Sequence, residues 1–160
     1  MLKNNPMQTP EGRVAFRRWR ESHPEKAAEI HQQLLRGQRR LQRDKPSGLE
    51  RRLRDILANL GVEHEPAYLV KPRFIVDIRI DALIIQADGD YWHGHPRFEP
   101  LTERQLAQQR RDRAQDAYLT KCGFTVVRIW ECELDRAKVI SILNEHGISF
   151  DEPARRNPTP

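Results

Sequence analysis

The sequence predicts an α/β domain behind a basic helical arm, and three observations carry that prediction. From Ser47 the periodic segments run helix, three strands, helix, strand, helix, an order that lets helices cover both faces of one sheet. The positive charge is confined to the front: residues 1 to 48 hold 11 Lys or Arg against 5 Asp or Glu, while the remainder holds 17 against 18. Between the two, Lys45-Pro46-Ser47-Gly48 breaks the helical pattern and sets a boundary at residue 46.

Residues 1 to 46 read as helices. Thr9-Pro10 is a start signal, Pro24 can open a second helix, and Glu25 to Gln42 contains no breaker except Gly37. Arg36, Arg39, Arg40 and Arg43 recur at spacings of three and four and form one positive stripe. Such a basic segment fits a nucleic-acid partner, because Lys and Arg release counterions from phosphates and so supply sequence-independent affinity. A solvated helix face accounts for the same charges.

The domain, residues 47 to 150, opens with Leu53, Ile56, Leu57 and Leu60 at amphipathic-helix spacing, and Gly61 is placed to end that helix. Ala67 to Val70, Arg73 to Ile80 and Ala82 to Ala87 read as strands, the last two a hairpin around Asp81. After a Gly, His and Pro-rich loop from Gly89 to Pro100, Thr102 and Gln105 have capping-box spacing and open a long polar helix to Lys121, with Gly123 after it. Phe124 to Trp130 is a fourth strand, Leu134 to His146 a last helix before Gly147, and the polar, Pro-rich stretch 151 to 160 reads as a disordered tail.

The 160 residues are 38% hydrophobic, enough for one ordinary core. No apolar run approaches the roughly 20 residues of a membrane span, and Met1 to Pro10 lacks the apolar stretch of a secretory signal, so the expected location is the cytoplasm. Cys122 and Cys132 are too few for a disulfide framework and are expected reduced. No internal repeat is present.

Chemistry concentrates between Phe74 and Pro96. Asp77 lies inside an apolar strand, where an unpaired carboxylate is costly to bury, and Asp88 ends the next strand. The strand period puts Gln86 and Asp88 on one face, opposite Ile85 and Ala87. Oxygen donors converging from adjacent strands are what Mg²⁺ requires. The plainer reading pairs Asp77 with Arg79 or a distant Arg and lets Asp88 start a turn at Gly89.

Five pieces in order carry a resemblance: Ser47-Gly-Leu-Glu50-Arg-Arg-Leu; Asp77; Asp88-Gly-Asp-Tyr-Trp92-His93-Gly-His95; Asp112 between two arginines; and Val127-Arg-Ile-Trp130-Glu131-Cys132. Together they resemble the very-short-patch repair endonuclease, and more closely the phage-encoded and homing endonucleases with an ordered Glu, Asp, x, His, Asp signature. The likeness spans about Ser47 to Asp135. It implies a restriction-endonuclease-like fold, a mixed sheet with helices on both sides, and Mg²⁺-dependent DNA cleavage with Mn²⁺ able to substitute. The strand reading adds Asp88 as a metal ligand, and the Gln86 amide oxygen can ligate beside it. By the same resemblance Asp77 is the central metal ligand. His93 is the general base, Asp112 supports it, and Glu50 is the acidic residue of the first helix. Trp92 matches an aromatic that enters the DNA stack, and the helix carrying Arg104, Arg110, Arg111 and Arg113 lies near the phosphates.

Each role has a rival in the residues themselves. Glu50 stands three after Ser47 and fits the N3 place of a capping box; Asp112 can pair with helix-surface arginines; Trp92 can be core; His95 can be a plain loop residue. The chain also departs from the family twice. The repair enzyme's structural zinc positions are Asp90, His95, Arg97 and Cys132 here, so no structural zinc is expected and mismatch specificity is not carried over. Gln86 stands where the wider superfamily has Glu. Besides an endonuclease, the residues admit a DNA-binding module that kept the fold and lost cutting, for which Gln86 speaks, and a zinc-finger-like nuclease built on His93 and His95, against which the lack of a Cys pair speaks.

Overall fold

The computed structural model describes residues 9–70 and 73–151; the expected tail therefore lies, apart from Asp151, outside the described residues. The chain divides between Gln38 and Arg39 into two compact units. In the first, α1 (Pro10–Ser22) starts where Thr9 caps it, the hydroxyl accepting the Gly12 N–H at 3.1 Å with Pro10 in the first turn. Trp19 stacks between Phe16 and His23, at centroid separations of 5.8 and 5.3 Å. The second helix, α2 (Pro24–Asp44), runs through Gly37 without a break.

The second unit takes the last turns of α2, from Arg39, followed by α3 (Gly48–Asn59), β1 (Glu65–Val70), β2 (Phe74–Ile80), β3 (Leu83–Asp88), the single turn α4 (Asp90–His93), α5 (Glu103–Lys121), β4 (Thr125–Trp130) and α6 (Arg136–Glu145). The strands stand in the order β1-β2-β3-β4. β1, β2 and β3 are antiparallel neighbours, and the Asp81-Ala82 turn between β2 and β3 puts Asp81 at φ +50°, a conformation Asp tolerates. β4 returns parallel to β3 because α5 forms the crossover that a parallel pair requires. The result is the mixed sheet flanked by helices that the element order predicts.

Alternation along β3 divides the core. Leu83 and Ile85 join Leu53 and Leu57 of α3, Ile129, and Val139 and Leu143 of α6. Ile84, pointing the other way, joins Val70, Val76 and Leu119 of α5. Leu53 and Leu57 are fully buried, each worth about 1.5–3 kcal/mol against exposure. Gln86 and Asp88 continue the face of Ile84, so toward the C-terminal end of β3 the layer under α5 changes from apolar to polar.

Helix α5 matches that change. Its box is complete: the Thr102 hydroxyl accepts the Gln105 N–H and the Gln105 side chain accepts the Thr102 N–H. Its apolar packing lies in its last turns, where Leu119 is buried and Tyr118 packs beside it, and the preceding turns present Gln108, Asp112, Gln115 and Asp116 at helical spacing. A helix that is polar on its inward stripe needs charged partners there, and the site supplies them.

Candidate active site

The β2–β3 ladder ends at Ile78 opposite Ile85, one step before Asp77 and Gln86 would pair. Side chains replace the missing ladder bonds. The Asp77 N–H donates to Gln86 Oε1 at 2.8 Å, and the Ala87 N–H donates to Asp77 Oδ2 at 2.9 Å. Asp77 Oδ1 accepts from Gln42 Nε2 at 3.0 Å. Among the described residues no Lys, Arg or His forms an ion pair with Asp77. Burial, opposed by the Ala87 N–H and reinforced by the charges of Glu50 and Asp88, pushes its carboxyl up to about 7.

Asp77 opens into a cleft of about 520 Å³ that also takes in Glu50, Gln86, Asp88, Trp92, His93, Asp112 and Arg128. A larger cavity, about 630 Å³, lies at the other end of β3 around Leu83, Asp81 and His146, and it gathers none of these groups. His93 sits at the end of α4, and its Nδ1 bonds Asp112 Oδ2 at 2.8 Å and stands 3.5 Å from Asp88 Oδ1. A carboxylate only accepts, so Nδ1 carries the proton and Nε2 of the neutral ring is the bare nitrogen. Among the described residues no hydrogen bond occupies Nε2. Burial pulls the His93 pKa down, but the bond to Asp112 and the charge of Asp88 carry it above the ordinary histidine value. Asp112 moves below the carboxylate range: burial raises it, and the bond to His93 with the charges of His93 and Arg128 outweighs that.

Arg128 has no role that the sequence pattern assigns. Opposite Gln86 in the parallel register, it donates from Nη1 to both Asp88 oxygens at 2.8 and 2.9 Å and from Nε and Nη2 to Asp116. The Asp88 side chain is 6% exposed and that of Arg128 20%, so removing Arg128 would strand the Asp88 charge, whereas Arg128 without Asp88 keeps Asp116. Burial raises the Asp88 pKa in spite of Arg128, and the acidic partners raise that of Arg128 in spite of burial. A charge inside the apolar run Val127-Arg128-Ile129 is the same signal that singled out Asp77, and the polar stripe of α5 is its complement.

The other expected residues fall as follows. Glu50 lies at the cleft; Ser47 caps α3 through the Glu50 N–H at 3.2 Å, while the Glu50 side chain takes the Ser47 hydroxyl and pairs with Arg54 at 3.4 Å. Gln86 is buried with its oxygen on the Asp77 N–H. Trp92 is not core: it is 57% exposed, with the Arg104 guanidinium 4.8 Å from its ring centroid. Arg110, Arg111 and Arg113 are exposed on α5, and Arg36 is exposed on α2. Arg39 is half-buried, donating to the Ala67 carbonyl at 3.0 Å, and Arg40 and Arg43 pair with Asp44. Asp90, His95, Arg97 and Cys132 do meet in space: Cys132 N–H donates to Asp90 Oδ1 at 3.3 Å, Cys132 Sγ is 3.6 Å from His95 Nε2, and the Arg97 guanidinium sits against Asp90 Oδ2 as an ion pair without hydrogen-bond alignment. Two groups of ligand atoms thus converge within 4.8 Å, Asp88 with His93 and Asp112, and Asp90 with His95 and Cys132.

No protein-family model matches the chain, and no curated protein matches it. Among solved structures the chain is similar to one described as "Homing Endonuclease I-Bth0305I Catalytic Domain", at 19% identity, over 63% of this chain and 91% of that chain, with a TM-score of 0.44.

Proposed function

We propose that this chain is a metal-dependent DNA endonuclease that hydrolyses phosphodiester bonds in the cleft bounded by Glu50, Asp77, His93 and Asp112. The observation that carries the reading is the His93–Asp112 pair: in a cleft lined with carboxylates, Asp112 holds one ring nitrogen of His93, and no hydrogen bond among the described residues occupies the other. That is the geometry of a general base. The donor set also fits a hard cation, because Asp77 is a carboxylate destabilised by burial and by two neighbouring acids, offset in part by the charge of Arg128 but with no ion pair of its own among the described residues. Asp77 and Asp88 would hold Mg²⁺, with Glu50 beside them and Gln86 supporting Asp77. When bound, the ion polarises a phosphate and stabilises the leaving oxygen. His93 accepts the proton of the attacking water through Nε2, and Asp112 keeps the ring in the required tautomer and offsets the charge that develops. Exposed Arg104, Arg110, Arg111 and Arg113 on α5 and the basic residues of α1 and α2 supply affinity for the phosphate backbone, and exposed Trp92 stands at the cleft mouth to stack on a base.

One observation favours a second reading. Arg128 already donates to both oxygens of Asp88, as a cation would, which suits a module that binds DNA without cutting it. Supercoiled plasmid incubated with Mg²⁺ or with EDTA separates the two: metal-dependent nicked or linear product supports the enzyme, and intact plasmid with retained DNA binding supports the module. Within the enzyme reading, Asp77→Asn is expected to lower cleavage at least about a hundredfold, since several kcal/mol of charge stabilisation exceeds that factor. DNA affinity is expected unchanged. Retained cleavage above about a tenth of wild type takes Asp77 out of the mechanism. The same substitution carries a stability signature. The folded Asp77 pKa lies above the ordinary aspartate value of 3.8, so ionisation costs folding stability increasingly between that value and about 7 and fully above it. Asp77→Asn should therefore raise Tm at pH 8 relative to wild type, and the gain should fade toward pH 4.

A further inference from the structure

The last turn of α2 is fastened to the cleft. Two of its terminal carbonyls, which have no partner inside the helix, accept from one side chain: Arg54 Nη1 donates to Arg43 O at 3.0 Å and Nη2 to Gln42 O at 3.2 Å. The same guanidinium pairs with Glu50, and both side chains are only 14% exposed. A cation at a helix C-terminus also complements the helix dipole. From the turn so fixed, Gln42 reaches 35 residues along the chain to Asp77 Oδ1. Asp77 then has one N–H on each oxygen, Gln42 on Oδ1 and Ala87 on Oδ2. A carboxylate has about four acceptor directions, so each oxygen keeps one for the cleft. Gln42 lies before Ser47, outside the stretch that carries the sequence resemblance.

We propose that Gln42 is a positioning residue of the active site, its amide fixing the Asp77 carboxylate in the orientation that takes a divalent cation. The inference rests on the metal-dependent reading of this cleft and adds to it a residue from the far side of the Lys45–Gly48 break. The amide suits this place better than a charged group would. A Lys would neutralise Asp77 and remove its need for a metal, and a carboxylate would repel it. The Gln amide donates one N–H and leaves the charge of Asp77 for the ion.

The test uses the full chain with Gln42→Met, which keeps size and removes the donor, and Gln42→Glu, which puts a second carboxylate against Asp77. Mn²⁺ binding is measured calorimetrically without DNA, melting is followed with Mn²⁺ and with EDTA, and single-turnover cleavage is compared with DNA affinity. Gln42→Met should weaken Mn²⁺ on the order of tenfold, as expected for a group that orients a metal ligand, with DNA affinity within about twofold of wild type. Gln42→Glu should melt below Gln42→Met in EDTA and gain more Tm from Mn²⁺ than wild type does, since the ion relieves the repulsion. Mn²⁺ affinity of Gln42→Met within about twofold of wild type, or equal Mn²⁺-induced melting shifts in all three proteins, reduces Gln42 to packing and overturns the proposal; so does a wild type that binds no Mn²⁺. A wild type that binds Mn²⁺ but leaves DNA intact removes the endonuclease reading while the Mn²⁺ data still decide on Gln42. If Gln42→Glu does not fold, Gln42→Met alone decides.

Discussion

Two clusters of the same character lie two residues apart on one loop, Asp88 with His93 and Asp112, and Asp90 with His95 and Cys132, and their neighbours put them to different use. In the first, the histidine has one nitrogen held and one open: Nδ1 is on Asp112, and no hydrogen bond among the described residues occupies Nε2. In the second, both nitrogens are engaged, Nδ1 accepting the Arg97 N–H at 3.2 Å and Nε2 facing Cys132 Sγ at 3.6 Å, with the ring edge-on to Trp130. The first faces the cleft beneath α5. The second closes the short turn after α4 onto the end of β4, with Arg97 supplying the positive charge and the Cys132 thiol held above its usual range by desolvation and by Asp90. Residue type alone does not separate the two histidines; the number of ring nitrogens left without a hydrogen bond among the described residues does.

The sharpest way to break this contrast is to remove each histidine. His93→Ala should lower single-turnover cleavage by roughly a hundredfold to ten-thousandfold, the usual contribution of a general base, with Mg²⁺ and DNA binding kept. His95→Ala should change the rate less than about threefold and show itself in Tm. Equal and small rate effects would make His93 a loop histidine and erase the distinction.

The acids give a smaller but cleaner separation, because the two properties should move in opposite directions. Asp88→Asn removes a proposed ligand, so cleavage should fall at least about tenfold, while Arg128 keeps Asp116 and stability is little changed. Asp90 is 1% exposed and takes the Cys132 N–H and the Arg97 charge. Asp90→Asn should cost about 1–3 kcal/mol of stability in denaturant melts and leave the rate of the folded protein within about twofold. A loss of activity without a loss of stability in Asp90→Asn would assign the second cluster to the chemistry.

How much of this was legible in the sequence follows from the range over which each signal acts. Three helix starts are local and readable, Thr9, Ser47 and Thr102, each of which caps its helix with its side chain; the last helix, expected from Leu134, begins at Arg136 with Asp135 as its cap. Strand alternation placed Gln86 and Asp88 on one face, and charge inside an apolar strand marked Asp77. Arg128 carries the same mark, but its meaning depends on a register that sets it opposite Gln86 and on an α5 stripe that only the parallel crossover brings over it. Gln42 carried no mark at all. It is a polar residue on a polar helix, and its partner lies 35 positions away across a Pro-containing break. The Lys45–Gly48 break is real as an end of helix, yet the compact division falls earlier, between Gln38 and Arg39, because Arg39, Gln42 and the carbonyls of the last turn all bond into the second unit.

The finest test of the contrast is a shift in pH dependence. If proton removal by His93 limits the rate, the active form is the neutral ring, and cleavage should rise with pH through the His93 pKa. That pKa stands above 6.5: burial lowers it, and the Asp112 bond with the Asp88 and Asp112 charges raises it further. The pairing contributes stability that is fully present below pH 6.5 and is lost as pH rises through the folded His93 value. It also fades at the acid end, where Asp112, held below 3.8, takes up its proton. Asp112→Asn keeps an oxygen that can accept from Nδ1 and removes the charge, so the rising limb of the pH–rate profile should move to lower pH while the plateau falls. Cys132→Ser, made beside the other histidine, should leave the limb where it is. Single-turnover cleavage at saturating Mg²⁺ across pH 5.5 to 9, roughly the span in which a histidine titrates, reads both. A limb that stays in place or moves upward in Asp112→Asn would show that Asp112 does not set the protonation of His93, and a limb that moves in Cys132→Ser would show that the two clusters are electrostatically one.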